Sequence, residues 1–170
     1  MLLSIDPGLR ACGCALFLDV GTLHSAALVK GAAKGLSGPQ AWRATAQAVR
    51  NYVGSWCITR VLFERMPAYG SDLPSRTLKL HDLTAVCAWI CALYPDAEPT
   101  GYYPREWEGT LNRKGAVDPI VERIKGRLTV SERARVELPA PSLAHNTWDS
   151  VGIGLKALGR FELHREIRRE

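Results

Sequence analysis

Three acidic residues lie far apart along the 170-residue chain, and two of them come directly after short apolar runs. Asp6 follows the run 1–5, and Glu64 follows the run 61–63. Asp149 lies in an amphipathic stretch near the end of the chain. Carboxylates at the ends of adjacent strands, faced by another on a packed helix, form a divalent-metal site. This pattern restricts the chain to folds that bring the three residues together.

Hydrophobic periodicity and turn residues predict strands and helices in alternation. The predicted strands span residues 2–5, 12–18, 23–29, 59–64 and 97–103. The predicted helices span residues 40–52, 75–94, 117–128 and a C-terminal stretch for which Ser142 is the candidate N-cap. The polar, proline-containing segment 129–141 is interpreted as a linker. Short turns between the first three strands indicate an antiparallel meander, so the order predicts one α/β domain over residues 1–170 with a five-stranded mixed sheet.

The composition fits a globular domain with 46% hydrophobic and 23% charged residues. No apolar run approaches the ~20 residues of a membrane span, so we expect neither a membrane span nor a signal peptide. The formal net charge is +5, and Lys and Arg are concentrated in residues 105–135 and 160–169. A basic surface around an acidic site indicates a polyanionic substrate.

The chain has five cysteines, an odd number without CxxC spacing. Cys12 and Cys14 alternate along a predicted strand, while Cys87 and Cys91 lie one helical turn apart, as buried apolar positions do. With Cys57, they are interpreted as reduced thiols in a cytoplasmic protein. A zinc or redox site is disfavoured because no His or Cys cluster completes four ligands.

Four motifs follow one another along essentially the whole chain. They are the segment 4–13 (Ser-Ile-Asp-Pro-Gly-Leu-Arg-Ala-Cys-Gly), the pair Phe63 and Glu64, the helix opening 78–80 (Leu-Lys-Leu) and the segment 145–150 (His-Asn-Thr-Trp-Asp-Ser). This ordered set resembles the RuvC-type Holliday junction resolvases. The resemblance implies a ribonuclease H-like fold whose first three strands are antiparallel and whose mixed sheet is flanked by helices. The compact size and the departures from the usual pattern suit a remote member, such as a phage-encoded one that acts in the host cytoplasm.

The resemblance also implies an activity. Such a protein is a homodimer that cleaves four-way (Holliday) DNA junctions by symmetric paired nicking, with two Mg²⁺ or Mn²⁺ ions per active site. Asp6, Glu64 and Asp149 would be catalytic metal ligands, because closely spaced carboxylates repel each other unless cations neutralise them. Two ions ~3.5–4 Å apart would hold the scissile phosphate, one activating water and the other stabilising the leaving oxygen. Gly8 would let the backbone approach closely beside Asp6.

The fourth ligand position departs from the commonest family pattern. Family members usually have Asp or His three residues before the last acid, where this chain has Asn146, and His145 is displaced by one. Both side chains share a helix face with Asp149. We favour His145 as the catalytic metal ligand, because imidazole binds Mn²⁺ or acts as a general acid or base. The alternative is Asn146 as ligand with His145 packed nearby.

DNA recognition is expected outside the acidic centre. Tyr69, which follows Glu64 in a proline- and glycine-containing loop, is a candidate for stacking at the junction crossover, and a packed loop tyrosine is the alternative. Trp107 could stack on DNA or fill the core, and we favour the core. Trp89 belongs to an apolar helix face that predicts a two-fold interface. The candidate phosphate contacts are Arg76, Lys79, Arg105, Arg113 and Lys114.

Other functions remain as alternatives. The same acidic residues suit a ribonuclease H or a less selective nuclease for flaps and branched DNA. A non-catalytic nucleic-acid-binding module of the same fold is a second possibility, although the retention of all three acids disfavours it. An ATPase of the actin and sugar-kinase superfamily also begins with a strand, Asp and Gly, but that architecture needs two such domains.

Overall fold

One mixed β-sheet organises the domain. The computed structural model describes residues 1–65, 74–110 and 118–162, apart from the side chains of 74–76. The sheet order is β3-β2-β1-β4-β5; β2 pairs antiparallel with β1 and β3, and β4 pairs parallel with β1 and β5. The predicted α/β class and antiparallel first three strands are therefore confirmed. The strands are β1 (Leu2–Asp6), β2 (Ala11–Phe17), β3 (Leu23–Lys30), β4 (Arg60–Glu64) and β5 (Glu98–Tyr102).

Helices cover both faces of this sheet. Helices α1 (Gly38–Val53) and α2 (Pro74–Ala92) pack on one face, and α4 (Pro119–Lys125) and α6 (Ala144–Ala157) pack on the other. Two short helices, α3 (Pro104–Glu108) and α5 (Val130–Arg133), and a 3₁₀ turn (Pro141–Leu143) complete the elements. Within the described ranges, no helix is both long and apolar enough to cross a membrane.

Strand alternation decides which face the site acids occupy. Leu3 and Ile5 pack towards α1 and α2, whereas Leu2 packs towards α6. Because successive side chains point to opposite faces, Asp6 belongs to the α6 face with Leu2. Leu62 packs on this same face, and it places Glu64 there by the same alternation.

The interpretation of residues 129–141 as a linker is wrong. This segment contains α5 and then runs along the outer edge of β3, where the Ala26 N–H donates to the Arg135 carbonyl at 3.1 Å. The Glu137 N–H donates back to the Ala26 carbonyl at 2.8 Å, which makes a parallel bridge between Ala26 and Val136. An edge strand exposes unpaired backbone groups, and this segment covers them. Local composition carries no signal for such a long-range pairing.

Two predicted helix starts are also wrong. Ser142 lies inside the 3₁₀ turn rather than at a cap, because Pro141 starts that turn, and Leu143 precedes α6 without a side-chain cap. The helix predicted from residue 117 begins at Pro119. Asp118 is its N-cap, and the Asp118 carboxylate accepts hydrogen bonds from the first N–H groups of α4.

None of the five cysteines forms a disulfide. Cys12 and Cys14 are buried, Cys87 and Cys91 are half-buried, and Cys57 is exposed. The alternating pattern on β2 therefore corresponds to core packing at Cys12 and Cys14, as predicted.

A buried ion pair between Glu132 and Arg160 joins α5 to the segment that follows α6. Glu132 is 2% exposed, and its carboxylate accepts hydrogen bonds from Arg160 at 2.7 and 3.0 Å. It also accepts from the N–H groups of Leu23 at 2.9 Å and Thr129 at 2.8 Å, while Arg160 donates to the carbonyls of Gly21 and Arg127. Burial alone would raise the pKa of Glu132, but these hydrogen bonds and the Arg160 charge lower that pKa to about 2.

We expect Glu132→Gln to lower the free energy of unfolding by about 2–4 kcal/mol, since it leaves a partly buried guanidinium without its counter-charge. Because the folded-state pKa lies below the ordinary glutamate pKa of 4.5, this stabilisation is present above pH 4.5 and is lost as the pH falls towards 2. Urea unfolding of both proteins at pH 7 and pH 3 measures the effect. Glu122→Gln, which breaks an exposed pair with Lys125, is the matched control and should cost below about 1 kcal/mol. Equal losses in the two variants would contradict the assignment.

Candidate active site

Two of the predicted acids end neighbouring parallel strands. Leu2 of β1 pairs with Arg60 of β4, and the register continues to Ile5 and Phe63. Asp6 and Glu64 come one residue later, on strands that run ~4.7–4.9 Å apart. The parallel register thus brings Asp6 and Glu64 to the same end and the same face of the sheet.

The third acid comes from α6, and a glycine on β2 determines how closely that helix approaches. Gly13 is the antiparallel partner of Asp6. A Cβ at Gly13 would overlap the backbone carbonyl of Asn146, so the first turn of α6 lies directly on the sheet at the position of Asp6. Asp149 follows within one turn and is 7% exposed.

Further contacts hold α6 in this position. The Ser4 hydroxyl donates a buried hydrogen bond of 2.7 Å to the Ser150 carbonyl. A Cβ at Gly152 would lie 2.6 Å from the ring of Trp107, so the indole packs directly on the helix backbone. Trp107 is 1% exposed, which confirms its assignment to the core.

The three acids line one open cavity with a volume of about 820 Å³. His145 and Asn146 line it as well, so both alternatives for the fourth ligand are at the site. The His145 side chain is exposed and that of Asn146 is half-buried. Proximity to the cavity therefore leaves both alternatives open.

Two further carboxylates, which were not predicted from the sequence, line the cavity. Asp82 belongs to α2 and Glu108 ends α3. The Asp82 carboxylate accepts a 2.9 Å hydrogen bond from the Trp42 indole N–H of α1. Asp82 had one available signal, since it lies three residues after Lys79 and so shares its helix face. Glu108 had no comparable signal, because its neighbours in space come from distant parts of the chain.

The predicted DNA-binding residues have different locations. Lys79 lines the acidic cavity, whereas Arg105 is exposed on α3 and is not among the described residues that line it. Arg76 lies in the first turn of α2, and its side chain is outside the described part of the structure. The predictions for Tyr69, Arg113 and Lys114 concern positions outside the described residues.

Gly8 is required by the turn that follows Asp6. A Cβ at Gly8 would overlap the carbonyl oxygen of Ala11, so the turn between β1 and β2 is too tight for a side chain there. The Cys12 thiol also donates to the Gly8 carbonyl at 3.4 Å. The close backbone approach expected at Gly8 is thus an approach to Ala11.

Buried thiols next to the acidic centre are poor metal ligands. Burial is the main cause that raises the pKa of Cys12 to about 12 and that of Cys87 to about 12, and the negative charge of Asp6 contributes to both. The pKa of Cys14 is also raised by burial. Because metals bind the thiolate, this chemistry favours oxygen ligands at the site.

The donor set fits a hard divalent cation. Carboxylate oxygens are the ligands that Mg²⁺ and Mn²⁺ prefer, and Asp6, Glu64 and Asp149 supply them from three elements around one cavity. Within the described ranges, no three His, Cys, Asp or Glu side chains are grouped closely enough to hold a metal ion. Cation binding at this cavity requires the carboxylate side chains to converge. The bound cation would offset the repulsion between their like charges.

Comparison with solved structures identifies the fold. The RuvC resolvase of Thermus thermophilus in complex with a Holliday junction substrate superposes with a TM-score of 0.66 and 16% identity, covering 97% of this chain and 95% of that chain. A second structure of Thermus thermophilus RuvC gives a TM-score of 0.61 at 16% identity, with 95% of each chain covered. A mitochondrial Holliday junction resolvase of yeast gives 0.57 at 16% identity, covering 98% of this chain and 82% of that chain.

Sequence comparison alone finds no relative. No protein-family model matches the chain, and no curated protein matches it significantly. At 16% identity, the structural similarity supports an assignment of the fold alone. The mixed sheet and the helices of this chain are therefore those of the RuvC ribonuclease H-like fold, as the motifs predicted.

Addition of Mn²⁺ should stabilise the protein if the carboxylates bind it. At a hundred times the dissociation constant, binding adds about 2.7 kcal/mol, which corresponds to a rise in Tm of about 5–10 °C for a domain of this size. Asp149→Asn should abolish most of this rise, because it removes one ligand charge. Thermal unfolding with and without Mn²⁺ provides the measurement.

Glu98→Gln is the matched control, since Glu98 is exposed on β5 and is not among the described residues that line the cavity. It should retain the full rise in Tm. An equal rise in the Asp149→Asn variant would show that Mn²⁺ binds elsewhere.

Proposed function

We propose that this chain is a metal-dependent endonuclease that resolves four-way DNA junctions by paired, symmetric nicking. The observation that carries the proposal is that Asp6, Glu64 and Asp149 all line one cavity on a RuvC-like fold. The solved relatives include a resolvase bound to a Holliday junction, which makes branched DNA the substrate class of choice.

The acidic cavity needs cations before it can accept DNA. Among the described residues, five carboxylates and one lysine line it, and such a surface repels phosphates. Two bound divalent cations, as Mg²⁺ or Mn²⁺, would offset this charge, activate water and stabilise the leaving oxygen. Asp6 and Glu64 would supply metal ligands from the sheet, and Asp149 would supply one from α6.

Other residues of the cavity position the substrate. Lys79 places one positive charge on the α2 wall, where it contacts a DNA phosphate beside the scissile one. His145 is our preferred fourth ligand or proton-transfer group, and Asn146 is the alternative. The Mn²⁺ affinities of His145→Ala and Asn146→Ala are each compared with that of the unchanged chain. The variant that loses more affinity identifies the ligand.

A homodimer matches the symmetry of the substrate. A four-way junction presents two equivalent strands for cleavage, and a two-fold axis presents two equivalent sites. Helix α2 exposes apolar side chains that one subunit does not cover, among them Trp89 at 39%. We infer that this face of α2 forms the two-fold interface.

The cleavage prediction concerns the three acids. Asp6→Asn, Glu64→Gln and Asp149→Asn should each reduce nicking of a labelled four-way junction in Mg²⁺ by about 10²–10³-fold or more, since metal-assisted stabilisation is worth several kcal/mol. Junction affinity should remain, because phosphate contacts lie mainly outside the acidic centre. Denaturing gels measure nicking, and mobility shifts measure binding.

Substrate competition separates this proposal from its alternatives. Junction, flap and RNA–DNA hybrid are offered together, with Glu98→Gln as the control that should cleave like the unchanged chain. Preference for the hybrid would identify a ribonuclease H, and preference for the flap a less selective nuclease. Binding without any nicking would indicate a non-catalytic module.

The dimer prediction concerns Trp89. The chain should sediment as two copies at micromolar concentration with junction present, and Trp89→Glu should reduce the mass towards one copy by placing a charge in an apolar interface. Trp56→Glu is the control, because Trp56 is 47% exposed and precedes β4 at the end of the sheet opposite Glu64. A single copy on the junction would contradict the dimer.

A further inference from the structure

A second, smaller cavity lies beside the acidic one and shares walls with it. Its volume is about 250 Å³, and Pro7, Glu64 and Leu83 line both cavities. This volume is below the ~300–1,000 Å³ of pockets for drug-sized ligands and suits a group the size of one nucleobase. Glu64 therefore lies at the boundary between the two cavities.

Apolar side chains form part of the remaining wall of this second cavity. Phe63 and Leu80 line it, and Cys87 adds a protonated thiol because burial raises its pKa to about 12. The Thr84 hydroxyl donates to the carbonyl of Leu80 at 2.8 Å, so its proton is already used. Such walls favour a flat, largely apolar group over a charged one.

A stacked pair of side chains forms the rim of the second cavity. The Arg65 guanidinium carbon lies 4.9 Å from the centre of the Tyr103 ring, and both residues line the cavity. Both side chains are exposed, Tyr103 to 41%. Arginine planes and tyrosine rings are the groups on which proteins stack unpaired bases.

The backbone holds this pair in place. The Arg65 N–H donates to the Tyr102 carbonyl at 2.8 Å, and the Tyr103 N–H donates to the Glu106 carboxylate at 2.6 Å. A Cβ at Gly101 would lie 2.5 Å from the Arg65 side chain, so the arginine crosses β5 where a side chain is missing. The backbone on both sides of the rim is thus hydrogen-bonded within the fold.

We propose that the second cavity receives one unpaired nucleobase of the DNA strand whose scissile phosphate occupies the acidic cavity. The inference rests on the proposed nuclease function and adds a subsite to it. The shared Glu64 wall places a base in this cavity next to a phosphate in the other. Because the rim offers a guanidinium plane and an aromatic ring, it accepts the base by stacking and tolerates different bases.

The test uses four-way junctions in which single nucleotides around the crossover are replaced, one at a time, by an abasic analogue. Binding is measured in Ca²⁺, and strand integrity is checked on a denaturing gel. At one position beside the cleavage site, loss of the base should weaken binding about tenfold, in line with the stacking energy of one base. Positions elsewhere in the arms should show no such loss.

Variants at the rim connect this loss to the second cavity. In Tyr103→Leu and Arg65→Gln, the intact junction should bind about tenfold more weakly, and the abasic position should cause no additional loss. Gly101→Ala keeps both rim side chains but displaces Arg65, and it should act in the same direction. Trp56→Ala removes an aromatic pair with His24 far from the site and should leave the abasic effect unchanged.

The outcomes separate this inference from the proposed function. If the unchanged chain nicks junctions but no abasic position weakens its binding, or if the abasic loss persists in the rim variants, the base subsite is refuted and the nuclease stands. If the unchanged chain neither binds nor nicks the junction, the proposed function itself fails. Thermal unfolding confirms that each variant is folded.

Discussion

The contact between Gly13 and the backbone of Asn146 is the constraint on which the site depends. Gly13 pairs with Asp6 across β1 and β2, and its missing side chain admits α6 to the surface of the sheet at that height. Any larger residue would push the helix outward and carry Asp149 away from Asp6. The buried hydrogen bond from Ser4 to α6 acts in the same direction. Close backbone packing, rather than the acids themselves, therefore determines how near Asp149 lies to Asp6.

The chemistry of the side chains changes along β1 and β4. At the carboxyl ends of β1 and β4, side chains turn from apolar to acidic where the strands stop, and the cavity opens there. Carboxylates that converge here would repel each other, and a bound cation would offset that repulsion. The smaller cavity beyond Glu64 adds apolar walls at Phe63 and Leu80 and a rim formed by an arginine stacked on a tyrosine. A charged backbone and an uncharged base thus have adjacent, separate compartments in the proposed nuclease.

Local sequence patterns predicted most of the sheet, because strand periodicity and turn residues are local properties. The positions of Asp6 and Glu64 followed from the ends of apolar runs, and the preferred assignment of Trp107 to the core was confirmed. The edge cover by Val136 and the ion pair of Glu132 were missed, since both depend on partners more than 20 residues away. Glu108 was missed for the same reason, whereas Asp82 had a local signal in its spacing from Lys79. Tertiary packing decides such positions, and one sequence carries no record of it.

Crystals of the chain grown with Mn²⁺ offer the most direct measurement, through the anomalous scattering of the metal. We expect Mn²⁺ in the large cavity, with oxygen ligands from Asp6, Glu64 and Asp149 at ~2.0–2.2 Å, close to the distance for Mg²⁺. We also expect α6 to remain packed on Gly13. Manganese bound elsewhere, or the three carboxyl groups held apart with Mn²⁺ present, would contradict the central claim.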